Sequence, residues 1–117
     1  MELRRRAPRV TLKDWWGRWA VEDDTELDWN ECQVVDVSLL GAGVDLWTDR
    51  AVDLMGRRLV VEVRPPNGNS VALRFTGIVT WIRQQSAFDF RVGLEFGHLS
   101  GTELAIMKVF EQLQSRW

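Results

Sequence analysis

From Cys32 to Phe96 the chain consists of short segments of alternating apolar and polar residues, interrupted roughly every eight to twelve residues by turn signals. This is the pattern of an antiparallel sandwich or barrel, and it limits the fold more than any other feature. "QVVDVS" and "VDLW" read as strands. "RRLVVEV" follows, closed by the strong turn of Pro65, Pro66, Asn67 and Gly68. "SVALRFTGIVTWIR" is longer than an ordinary strand, and Gly77 is the expected bulge or bend within it. "FRVGLEF" puts Val92, Leu94 and Phe96 on one face, with Arg91, Gly93 and Glu95 on the other. Upstream, "WGRWAV" adds a further strand, for about six in all.

The period then changes. In "SGTELAIMKVFEQLQ", Ile106, Val109, Phe110 and Leu113 recur at the spacing of one helical face. Ser100 with Glu103 three residues on forms a capping box. The expectation is a terminal amphipathic helix over about residues 100–115, packed on the strands or covering a barrel mouth; an exposed face for a partner helix is the alternative.

A chain of 117 residues is one domain with room for a real core. Its net charge of -2 gives no global attraction to nucleic acid or anionic membrane. The charges are unevenly spread. Arg4, Arg5, Arg6, Arg9, Lys13 and Arg18 crowd the start, and Glu22, Asp23, Asp24, Glu26, Asp28 and Glu31 follow with no cation among them. A single cysteine, Cys32, excludes an internal disulfide framework and suits a reducing compartment. No segment has the roughly 18 apolar residues of a membrane-spanning helix, and "MELRRRAPR" lacks the apolar run of a signal peptide. A cytoplasmic domain is expected.

Catalytic chemistry finds little support. The one histidine, His98, has no second histidine or cysteine beside it to share a metal. Ser38 has no local base and does not sit on a strand-turn-helix elbow. "GAGVDL" starts like a dinucleotide fingerprint, but Leu46 replaces the third glycine and a strand follows where a helix is needed. Neither an enzyme nor a metal site is expected. Seven tryptophans are many for this length. Those near the basic start could stack on single-stranded nucleic acid, but most are expected to fill a small barrel's core, Trp47 and Trp81 from within strand patterns.

Two short stretches carry a different chemistry. In "DVSLLGAG", Asp36 and Ser38 share a strand face, while Val35, Val37 and Leu39 point the other way. Gly41 and Gly43 then permit unusual φ values and close approach of a ligand to the backbone. In "RRAPRV", Arg5 and Arg9 are spaced R-x-x-x-R directly before the first strand. A guanidinium fork suits phosphate oxygens and the O6/N7 edge of guanine. A carboxylate complements the N1–H and N2–H groups on guanine's other edge, and a serine hydroxyl can donate to phosphate. Together these groups form a surface complementary to a guanine nucleotide.

These two stretches resemble the paired R-x-x-x-R and [D/N]-x-S-x-x-G motifs of the PilZ domain family, and the interval from Arg9 to Asp36 is similar to the family's separation. "GIVTWIR" and "VGLEF" resemble its later strands, so the likeness covers nearly the whole chain. Leu40 stands where the family often has glycine. The resemblance implies an all-β fold with a C-terminal helix, a six-stranded antiparallel PilZ-type β-barrel. A basic arm over residues 1–10 would carry R-x-x-x-R, and residues 11–117 would form the barrel and helix. It also implies a non-catalytic receptor or adaptor for the bacterial second messenger cyclic di-GMP, with no cofactor and an unidentified protein effector as its output. Carried onto this chain, Arg5 and Arg9 would grip guanine edges and phosphates as the arm folds over the ligand. Asp36 would bind a guanine, Ser38 a phosphate, and Gly41 would shape the turn. A basic residue at Arg4 would accompany a stacked pair of ligands. A PilZ-like protein-interaction module without ligand and a nucleic-acid-binding barrel are the alternatives. The acidic stretch and Asp36 oppose the second, so neither nucleic acid nor membrane insertion is expected.

Overall fold

A computed structural model of the chain describes residues 9–22, 26–38, 40–49, 51–64, 66 and 72–97. Arg4, Arg5 and the expected helix over about residues 100–115 lie outside the described residues.

The strands are β1 (Val10–Thr11), β2 (Trp16–Val21), β3 (Asn30–Val37), β4 (Gly41–Trp47), β5 (Arg58–Val63), β6 (Leu73–Gln84) and β7 (Asp89–Glu95), with a short 3-10 turn over Ala51–Leu54. They pair antiparallel in the order β3-β2-β5-β6-β7-β4, and β4 returns to β3, so six strands close a barrel with no long open edge. β1 is a two-residue addition on the β3 edge that also carries β2: Thr11 faces Asp36, and Trp16 faces Gln33. Between them the chain loops outward through Lys13 and Asp14. Asp14 takes φ 62, a left-handed conformation that aspartate tolerates. Leu12 N–H donates to the Val35 carbonyl and Val34 N–H to the Trp15 carbonyl, which sew this excursion to β3.

The core fills the barrel lumen with β-branched and aromatic side chains, the types that suit a pleated, half-buried surface. Val34, Val44, Val61, Val63 and Val92 are fully buried around Trp15 and Leu46. Phe75 meets Phe96 edge-on, with ring centroids 5.5 Å apart. Each such aliphatic side chain contributes roughly 1.5–3 kcal/mol on burial. Val92, Leu94 and Phe96 are buried, as their alternation requires.

Four expectations are corrected. Ser38 lies just beyond β3, whereas Gly41 and Gly43 lie within β4. Val34 and Val37 are buried while Val35 is only partly so, because the β3–β4 register slips between Val34 and Asp36, and a bulge reverses the alternation. Gly77 sits in regular register opposite Leu59; the irregularity of β6 falls at Thr80, between Val79 and Trp81. Finally, Trp15 and Trp19 are core, but Trp16, Trp47 and Trp81 are 50%, 38% and 36% exposed. Trp47 shares the outer face of β4 with Gly41, Gly43 and Asp45, opposite in parity to the buried Ala42, Val44 and Leu46.

Candidate ligand-binding site

The two bulges shape one patch on the outside of the barrel. The bulge at Val35 turns the Asp36 side chain over Gly43 of the next strand. Gly43 N–H donates to Asp36 Oδ1 at 3.1 Å, and a Cβ at Gly43 would lie 3.0 Å from Oδ2. The bulge at Thr80 leaves both Thr80 and Trp81 exposed, and the Trp81 indole covers Gly93, where an added Cβ would overlap Trp81 Nε1. Gly43 and Gly93 are cross-strand partners. The wall therefore reads Asp36, Gly43, Gly93, Trp81 across four adjacent strands, a glycine floor between a carboxylate and an aromatic face.

Ser38 borders the same groove with Arg9, Gly41, Thr80, Trp81 and Glu95. Its backbone N–H donates to the Gly41 carbonyl at 2.8 Å, closing the β3–β4 turn, and its Oγ accepts the Leu40 N–H at 3.1 Å. That bond does not use the hydroxyl proton. Arg9 Nη1 donates to Asp36 Oδ1 at 3.3 Å. Of the expected site residues, Arg9, Asp36, Ser38 and Gly41 converge here; Arg5 and Arg4 lie outside the described residues.

Gly41 carries a second constraint besides its carbonyl's part in the turn. Its φ is not in the left-handed region, which among the described glycines only Gly56 adopts, at φ 79. A Cβ at Gly41 would overlap the Leu94 carbonyl oxygen of β7. The glycine lets two strands approach closely beneath the groove.

Beside this row the wall is fixed by charge. Asp45 is only 7% exposed and accepts two bonds from Arg91, at 2.7 and 3.0 Å, and one from Gln85 at 3.3 Å. Hydrogen bonding to Asp45 raises the Arg91 pKa above its ordinary value, against the opposing cost of burial, with Asp36 among the nearby anions. Further round, Arg18 and Arg74 both hold Glu62, and Trp29 lies under Arg18 at 4.1 Å. Among the described residues no group of His, Cys, Asp or Glu is arranged to hold a metal ion. No helix among them is long and apolar enough to cross a membrane.

Trp81 and Gly93 did not stand out in the sequence as site residues. The available signal was a glycine at an outward position of a clean alternating strand, which marks a place where something lies on the backbone.

The chain is thus a small closed barrel with a filled lumen and a polar, glycine-floored groove on its outer wall. The PilZ domain profile matches residues 3–111, and the chain belongs to that family. Its fold is similar to a solved structure, the PilZ domain with c-di-GMP of YcgR from Escherichia coli. That structure is 20% identical with a TM-score of 0.73, covering 97% of this chain and 92% of the other. No curated protein sequence matches the chain.

Proposed function

We propose that this chain is a non-catalytic cytoplasmic receptor that binds cyclic di-GMP on the outer wall of its barrel and signals through its N-terminal arm to a protein partner. The observation that carries this is the pairing of Asp36 with Trp81 across the Gly43–Gly93 floor. A purine can stack on the indole while its edge donates N1–H and N2–H to the carboxylate. Arg9 and Ser38 at the same rim supply a cation and a hydroxyl donor for phosphate. Family membership and the c-di-GMP of the solved YcgR domain point the same way.

In this account Arg5 joins Arg9 on the ligand, drawing the arm onto the wall, and the ordered arm with its neutralised charge is the signal. Arg4 adds a guanidinium plane for a second, stacked ligand. Calorimetric titration tests the reading, with cyclic di-GMP beside GTP and cyclic di-AMP. Selective binding of cyclic di-GMP is expected, with two ligands per chain falling to one in Arg4→Leu. Equal affinity for the three nucleotides would overturn it.

A further inference from the structure

Resting on that receptor reading, the contact between Arg9 and Asp36 points to how the site rejects partial ligands. The two side chains assigned to the ligand are bonded to each other, Nη1 to Oδ1 at 3.3 Å. Arg9 is kept in reach of Asp36 by the backbone, because β1 pairs with β3 at Val10 and Val37 and at Thr11 and Asp36. Asp36 Oδ1 also takes the Gly43 N–H, so the carboxylate is held in place while Arg9 covers it. The next cation along the wall, Arg91, is committed to Asp45 by two bonds and is no substitute. Among the described residues, Glu95 lines the same groove as Arg9, and Asp45 lies two residues along β4 from Gly43.

We propose that the Arg9–Asp36 pair is a coincidence gate, opened only by a ligand that brings a donor-rich edge for the carboxylate together with an anion for the guanidinium. An anion alone would draw Arg9 away and leave Asp36 as a bare like charge beside the newcomer. A base alone would satisfy Asp36 but strand Arg9. A guanine dinucleotide supplies both partners in one molecule. Cyclic di-AMP carries the same two phosphates, but the N1 of adenine is an acceptor and meets the carboxylate lone pairs. The gate therefore adds to the discrimination that direct contacts to guanine provide.

The test is a four-member cycle: the natural chain, Arg9→Gln, Asp36→Asn and the double variant. Each is titrated with cyclic di-AMP and with cyclic di-GMP at about 50 mM salt, where screening is weak. The amide introduced by Asp36→Asn keeps an acceptor for the Gly43 N–H but cannot hold Arg9 as an ion pair; Asp36→Ser replaces it should that variant not fold. Cyclic di-AMP should bind Asp36→Asn about two- to fivefold more tightly than the natural chain, the range a half-exposed ion pair allows. Cyclic di-GMP should bind it more weakly. On the Arg9→Gln background, Asp36→Asn should bring a smaller gain for cyclic di-AMP, because only the repulsion between Asp36 and the ligand is then relieved. No gain in Asp36→Asn overturns the gate. An equal gain with Arg9 absent overturns it too, because simple loss of negative charge would then suffice. Failure of the natural chain to bind cyclic di-GMP at all is a separate result, and it removes the receptor reading itself.

Discussion

Gly93→Ala separates the role of the wall from the roles of the residues on it. The added methyl would overlap Trp81 Nε1, so the ring must move off Gly93. Trp81 is 36% exposed and can rotate into solvent without opening the core. The cost in stability should stay within about 1 kcal/mol, the scale of a surface change. The effect on the ligand should be larger. Loss of one base–aromatic stack is worth about 1–3 kcal/mol by alanine substitution, or roughly five- to 150-fold in affinity. Gly93→Ala should therefore weaken cyclic di-GMP as much as Trp81→Ala does, although it removes no atom from the site. The double variant should be no worse than either single one, because both changes abolish one interaction. Calorimetry gives the affinities, and thermal denaturation confirms that each variant is folded. Natural affinity in Gly93→Ala, or losses that add in the double variant, would refute the stacked wall.

Gly41→Ala should behave in the opposite way: its Cβ meets the backbone carbonyl of Leu94, which no rotamer relieves. Overpacking of about 1–3 kcal/mol should lower the melting temperature by several degrees, and an unchanged melt would contradict the close approach of β4 and β7. Arg5→Ala, Arg9→Ala and Asp36→Ala should each weaken cyclic di-GMP about ten- to hundredfold by titration, given about 1.5–3 kcal/mol per hydrogen bond to a charged group. Burial alone would raise the Glu62 pKa, but hydrogen bonds from Arg74 and Arg18 outweigh it and hold the carboxyl below its ordinary value of 4.5. The stabilisation this lends is full above that value and disappears as pH falls through the lowered one. Urea denaturation should accordingly show the natural chain exceeding Glu62→Gln most clearly near pH 7, with the gap closing below about pH 4.5. The Cys32 thiol, pushed up to about 12 by burial, should resist a thiol reagent until the barrel is unfolded.

Strand positions were legible because period-two alternation is a local property: "WGRWAV" is β2 residue for residue, and "FRVGLEF" buries the face expected of it. The turn chemistry around Ser38 was equally local. Register was not. Both bulges arise from the pairing of two strands, so nothing within β3 or β6 alone says that Val35 or Thr80 is the extra residue. That is why Trp81, which reads as core in a single strand, emerges on the outer wall. Gly41 looked like a turn residue because its constraint comes from Leu94, more than fifty positions away in the chain. β1, with only two paired residues, is too short to leave a periodic signal.

The claim that the ligand sits on the outer wall, between Asp36 and Trp81, is tested most directly by the indole N–H resonances of the tryptophans, with Trp81 assigned from a Trp81→Phe variant. On titration with cyclic di-GMP the Trp81 resonance should move strongly. Those of Trp15 and Trp19 in the core and of the Trp16–Trp47 stack at the far end of the wall should hold their positions. A Trp81 resonance that stays fixed at saturating ligand, while another tryptophan shifts, would place the ligand elsewhere and contradict the account.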